Sequence, residues 1–191
     1  THGRIWRITY KGRPLLDPVN LETLSVPQLL DQLKVYEDRA RYRTRRELRE
    51  RDRDEVGREL ERWMARLDRN DPELEHHLLE ALWLQQSLDR LSPELLERLL
   101  RAEDHRARAA ATRVLRYSLH VARNPLELLR AQVNDEHPLV RLEGVVALSF
   151  IPDPRSAEIA LEALRHPVDY YLDYGLKETL AGLEKEWKPV L

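Results

Sequence analysis

At 191 residues and without a single cysteine, the chain can carry one ordinary domain or one repeat array, but no disulfide framework, thiol nucleophile, zinc–thiolate site or covalent haem attachment. Its 32 Lys and Arg stand against 34 Asp and Glu, a formal net charge of −2, so both signs are interspersed and no single-sign field marks a dedicated nucleic-acid binder. No apolar run approaches the roughly 18 residues of a membrane span, and no charged-then-apolar leader is present; the missing initiator Met is what an excised segment would show.

The opening GRIWRITYKGRP, Gly3 to Pro14, places Trp6, Ile8 and Tyr10 on one side of an extended chain and Arg7 and Thr9 on the other, which predicts one half-buried strand. From about Ser25 onward the apolar spacing is helical. Between Glu37 and Arg62, Arg39, Arg43 and Arg46 can line one helical face. The acids Glu47, Glu50, Asp52, Asp54, Glu55 and Glu59 stand among the arginines, many at i,i+3 or i,i+4 offsets. A solvated, self-paired face is the expected outcome, with a phosphate-tracking patch as the alternative.

Four helix starts carry the same punctuation: DPEL at Asp71, SPELLERLL at Ser92, NPLELL at Asn124 and DPRSAEIAL at Asp153, with SVPQLL at Ser25 a variant. In each, a polar side chain can accept from an orphan helical N–H while proline takes the first helical position. Asn124 and Glu127 have capping-box spacing. Stripes at helical spacing follow: Leu95, Leu96, Leu99 and Leu100; Ala107, Ala110, Ala111, Val114 and Leu115; and Leu172, Leu176, Leu180, Leu183 and Trp187.

An Asp recurs near the start of each expected second helix, at Asp38, Asp71, Asp104, Asp135 and Asp169, in steps of 33, 33, 31 and 34 residues. That period is solenoidal, and it predicts an all-α, right-handed α–α superhelix of about five helix pairs with a short N-terminal strand. The tetratricopeptide and ankyrin signatures are absent. DEHPLVRLEGVVALSFI at Asp135, with EDHRARAAATRVL at Glu103 and DPELEHHLLEALWL at Asp71 as weaker relatives, resembles the second helix of a HEAT repeat. The resemblance implies that the Asp caps its own helix and joins a polar ladder with the Arg of the adjacent repeat; Asp135 with Arg141 fits best, and Asp104 with Arg108 less well.

Gly3 to Ile8 ahead of such helices, together with HPVDYYLDYGLKETLAGLEKEW from His166 to Trp187, resembles the planctomycete-type membrane-bound dehydrogenases. The resemblance implies a sugar-dehydrogenase-like β-propeller ending in this strand, a HEAT-like middle segment, and a c-type cytochrome with a Cys-x-x-Cys-His motif. On that basis residues 1–24 are the remnant of a propeller blade and linker, residues 25–191 are the HEAT-like domain, and the compartment is the periplasm or cell envelope. No catalytic residue carries over, and the strand must dock on the first helices, pair with another copy, or fray.

Adjacent His76 and His77 point about 100° apart on a helix, so no metal site is expected there. His105, His137 and His166 lie near turns, where capping is the expected role, and Gly144, Gly175 and Gly182 should permit close helix approach. Tyr170, Tyr171 and Tyr174 are expected to pack the end of the array, with a partner surface as the alternative; Trp63 and Trp83 are expected in the core. The segment therefore reads as a non-catalytic scaffold without cofactor or metal, contacting neighbouring domains such as the propeller and the cytochrome. The alternatives are a nucleic-acid-binding protein like the HEAT-like alkylpurine DNA glycosylases, or a HEAT-like lyase.

Overall fold

A computed structural model describes residues 3–12 and 19–190, so Arg13 and Pro14 of the expected strand, the rest of 13–18, and Leu191 lie outside the described residues. The first helix pair is α1 (Val26–Gln32) with α2 (Asp38–Glu50), and the second is α3 (Arg53–Ala65) with α4 (Leu74–Ser87). α5 (Pro93–Leu99) with α6 (His105–Tyr117), α7 (Pro125–Val133) with α8 (Pro138–Leu148), and α9 (Pro154–Leu161) with α10 (Tyr170–Gly182) complete five pairs. A last turn, α11 (Glu184–Trp187), folds back on α10, and the Trp187 indole N–H donates to the Leu180 carbonyl at 2.8 Å.

The starts follow local chemistry. Ser92 accepts from the Leu95 amide at 3.2 Å and Asp153 from the Arg155 amide at 2.9 Å, each with proline at the first helical position. Asp52, not singled out by pattern, caps α3 through the Glu55 amide at 2.7 Å and so parts the Glu37 to Arg62 stretch into two helices. DPEL is not a helix start of the expected kind: Asp71 accepts from the Glu73 amide in a turn, and α4 begins only at Leu74. Asn124 flanks α7 without a side-chain cap, and the Glu127 side chain is turned to Arg130 and not back to the Asn124 amide.

Second helices pack in an unbroken row, α2 on α4, α4 on α6, α6 on α8 and α8 on α10, while each first helix leans on its own partner. The core between the two layers is leucine-rich: Leu29, Leu30, Leu33, Leu48, Leu60, Leu82, Leu96, Leu99, Leu115 and Leu129 are all essentially sealed from solvent, as is Trp63. Each such side chain contributes about 2 kcal/mol of transfer free energy. α8 stands centrally, against α6, α7 and α10, and it can do so because Gly144 faces the α7 backbone: a Cβ there would lie 3.0 Å from the Val133 nitrogen. Gly175 lets α10 approach Leu142 of α8, whereas Gly182 faces open space and permits no close approach, contrary to expectation. In the first layer α5 packs on neither α3 nor α7 as α1 does on α3 and α7 on α9, and a crevice of about 730 Å³ lined by Met64, Leu67, Leu74, Leu78 and Leu95 opens between α3 and α5. The first layer splays there while the second stays closed, which puts the second helices on the inside of the bend.

Residues 3–10 form no strand, and no strand occurs among the described residues. Ile5, Trp6, Ile8 and Tyr10 are all exposed, so the segment does not dock on the first helices. A lone segment has no ladder partner for its backbone groups, and its alternation cannot bury a face by itself. The result is an all-α HEAT-like solenoid with an unpartnered N-terminal segment.

Candidate interaction surface

Three arginines in three second helices repeat one geometry. Arg41 donates from Nη1 to the Val35 and Tyr36 carbonyls, at 2.8 and 2.6 Å; Arg108 does so to Ala102 and Glu103, at 2.8 and 2.9 Å; and Arg141 to Asp135 and Glu136, at 2.9 and 2.8 Å. Each thus clamps the turn five and six residues before itself. The remaining nitrogens reach the next repeat: Arg41 to Glu80 at 2.9 Å, Arg108 to both Asp135 oxygens at 2.7 and 3.0 Å, and Arg141 to the Pro167 carbonyl at 3.1 Å. The fixed, planar fork suits this double duty better than an ammonium would. Hydrogen bonding to Asp135 holds the Arg108 guanidinium even further above the usual range.

In α4 the matching position is Glu75, 34 residues after Arg41 and 33 before Arg108. Its carboxylate accepts from the Glu103 and Asp104 amides at 2.7 and 2.8 Å, the same turn approached through its N–H groups. In α10 the position is Gly175, beside Leu142.

The five recurrent aspartates are not equivalent in this frame. Asp38 is the first residue of α2, 3.2 Å from Arg41; Asp71 makes the turn before α4; Asp104 caps α6 through the Arg106 amide, 2.8 Å away; Asp135 bonds the His137 amide and Arg108; and Asp169 caps α10 through the Leu172 amide at 2.8 Å. Asp38 stands three residues before Arg41, Asp71 and Asp104 four before Glu75 and Arg108, and Asp135 and Asp169 six before Arg141 and Gly175. The Arg106 side chain bonded to Asp104 holds that carboxyl below its ordinary range.

Along the inner layer, Glu80 of α4 is fully buried and is held by Arg41 and Arg45 of α2, with His76 at 3.7 Å. Arg45 lies over the Trp83 ring, 5.2 Å from its centroid. Trp63 belongs to the core, its indole N–H donating to Asp31 at 3.1 Å, but Trp83 is half-buried and opens onto a groove of about 630 Å³ with Tyr36, His76, Leu79 and Ala110. Further along, Leu139, Leu142 and Val146 of α8 form an apolar stripe at helical spacing, with Phe150 two residues beyond the helix end, and Leu139 and Phe150 are exposed. Tyr117 meets Phe150 edge-on at 5.8 Å, under Arg116, while Arg113 and Arg116 share Glu143. Tyr170, Tyr171 and Tyr174 are exposed and do not pack the end of the array as expected.

Arg39, Arg43 and Arg46 lie on the outer face of α2, all exposed, and make no ion pair among the described residues. The self-pairing expected of this stretch falls to other arginines, Arg41 with Asp38, Arg51 with Glu47 and Arg62 with Glu59. The histidines divide. His77 is buried against Trp63 with Nε2 3.3 Å from Asp71, and burial lowers its pKa. His105 and His137 stack at 3.6 Å across adjacent turns, where burial and then the neighbouring ring lower that of His137. His137 also caps α8 through the Leu139 amide. Among the described residues no three His, Asp or Glu side chains gather as a metal would require.

The fold and its surface define a class: a stacked array of α-hairpins whose inner layer offers broad, mixed polar and aromatic contact area. Residues 92–181, from Ser92 ahead of α5 to Ala181 at the end of α10, match the family of HEAT repeats. The match covers less than half of the chain and supports a HEAT-repeat segment there. Nothing among the curated proteins matches the chain. Sequence reasoning passed over Arg41, Glu75 and Glu80; the signal that finds the first two is the even interval from Arg41 through Glu75, Arg108 and Arg141 to Gly175, masked by the change of sign at 75, and no interval marks Glu80.

Proposed function

We propose that this chain is a non-catalytic scaffold that binds neighbouring domains or proteins through its inner, second-helix layer. The observation that carries the reading is the solvent-facing side of the second helices, where half-buried Trp83 and exposed Tyr117, Leu139 and Tyr174 stand with ion-paired Arg45 and Arg113. Its grooves are open troughs, the composition of a contact surface and not of an enclosed substrate pocket.

A finer reading goes with the resemblance at Gly3 to Ile8 and His166 to Trp187. The array serves as a spacer between a sugar-dehydrogenase-like propeller and a cytochrome c domain, and the unpartnered Ile5, Trp6, Ile8 and Tyr10 find their sheet in the propeller. A rigid spacer suits electron transfer, which falls off steeply with distance. The test is the reading frame around these residues: propeller repeats before them and Cys-x-x-Cys-His after them are expected, and a frame with neither overturns the spacer role. The isolated chain is expected to oxidise no sugar in a dye-reduction assay, and measured turnover would overturn the non-catalytic reading.

A further inference from the structure

Five of the nine acids in the Glu37 to Arg62 stretch are engaged away from Arg39, Arg43 and Arg46, and Glu37, Glu50, Glu55 and Glu61 form no ion pair among the described residues. Asp38 pairs with Arg41 at 3.2 Å, Glu47 with Arg51 at 2.6 Å, Glu59 with Arg62, and Asp54 with Arg90 of the following turn, while Asp52 caps α3. Buried Glu80 takes Arg41 and Arg45 from the inner side of α2. What remains outside is Arg39, Arg43 and Arg46, at i, i+4 and i+7, with Arg49 beside them; among the described residues none meets a carboxylate. They fall within about 60° of one helical face and span about 10 Å. Exposed Tyr42 stands in the same row. Glu50 is the one acid on that face. Arg43 and Arg46 also wall a shallow trough of about 230 Å³ against Val19, Leu21 and Glu22.

From this charge pattern we infer that the outer face of α2 is a docking site for an acidic α-helical segment of a partner protein, with carboxylates at i, i+4 and i+7 set against Arg39, Arg43 and Arg46. The inference rests on the scaffold reading and names the chemistry of one partner. Helical spacing on both sides brings three charge pairs into register at once, and guanidinium forks match carboxylates bidentately. Tyr42 supplies an amphipathic contact at the centre of the row. A duplex is the poorer occupant: a row of about 10 Å reaches few phosphates, where firm binding takes about 6 to 10, and Glu50 and exposed Glu37 repel a continuous polyanion.

The experiment uses the whole chain and a fluorescein-labelled helical peptide with Glu at i, i+4 and i+7 in an alanine-rich background, read by anisotropy at about 50 mM salt, where exposed charges are weakly screened. Binding is expected, weakened at least about tenfold by R39E/R43E/R46E. It should change less than about twofold in R58E/R66E/R98E, a reversal of three other exposed arginines without acid partners. R39K/R43K/R46K should retain intermediate affinity, since the charge survives but the fork does not. Circular dichroism checks that each variant is folded. Absence of peptide binding, equal loss in the two reversal variants, or tighter binding of a short DNA duplex that the α2 reversal abolishes each overturns the proposal. All three results leave the reading-frame test of the scaffold standing.

Discussion

The first two helix pairs and the last three share one architecture and differ in how neighbouring repeats are joined. In the C-terminal part, Arg108 and Arg141 follow the same rule, donating backward to their own turn and forward to the next. In the N-terminal part, Arg41 reaches forward into a buried carboxylate, and Glu75 then reverses polarity, receiving amide protons where the others give them to carbonyls. An inter-repeat turn presents both N–H and C=O groups, so a charged side chain of either sign can serve it from this position. The recognisable repeat begins at residue 92, downstream of that reversal.

The sharpest way to break the comparison is to remove the N-terminal join. R41A/R45A strips Glu80, fully buried, of its two guanidinium partners, and a loss of about 4 kcal/mol is expected in urea unfolding, because an uncompensated buried charge remains. R108A should cost about 3 kcal/mol, since it orphans two carbonyls and Asp135 together. R108K should recover less than half of that, and E75Q should cost only about 1 kcal/mol, the amide oxygen serving one of two N–H donors. If E75Q proves as costly as R108A, the two halves are joined by equal means and the contrast fails.

Glycine offers a second contrast. G144A pushes a methyl group against the α7 backbone and should destabilise by about 2 kcal/mol, whereas G182A meets nothing and should stabilise by about 0.5 kcal/mol through helix propensity. Thermal melts of the two variants should move in opposite directions.

The smallest effect is a pH dependence to which His77 of the N-terminal half contributes. His77 is held neutral by burial, with its folded pKa below the ordinary value, so its contribution is fully present above about pH 6.5 and is lost as pH falls toward the folded pKa. Stability followed from pH 7.5 to 5 should decline less steeply in H77Q, which cannot charge. An unchanged slope would assign the decline to other groups.

Much of this fold was legible because its signals are local. Ser92, Asp153 and Asp169 cap the helices their spacing foretells, and the leucine stripes of α5 and α6 turn inward as periodicity requires. What was illegible depends on tertiary reach. That Glu80, two helices away, would claim Arg41 and Arg45 cannot be read from intervals within α2, nor that Arg39, Arg43 and Arg46 would then face outward unneutralised. Trp83 follows the same logic: its helical phase permits burial, but α6 offers Ala110 opposite it and leaves the groove open. The Asp period holds in part: Asp104 and Asp169 cap their own helices and Asp135 meets Arg108 of the adjacent repeat, while Asp71 only makes a turn and Asp38 pairs within α2.

The crevice between α3 and α5 has a mechanical consequence. Because those outer helices share no packed face, stretching the array from its two ends separates little apolar surface at that point, while the inner row of α4 on α6 acts as a hinge pin. Under tension the solenoid should therefore yield first beside α5, flexing like a strip scored on one side, and leave the pairs on either flank intact.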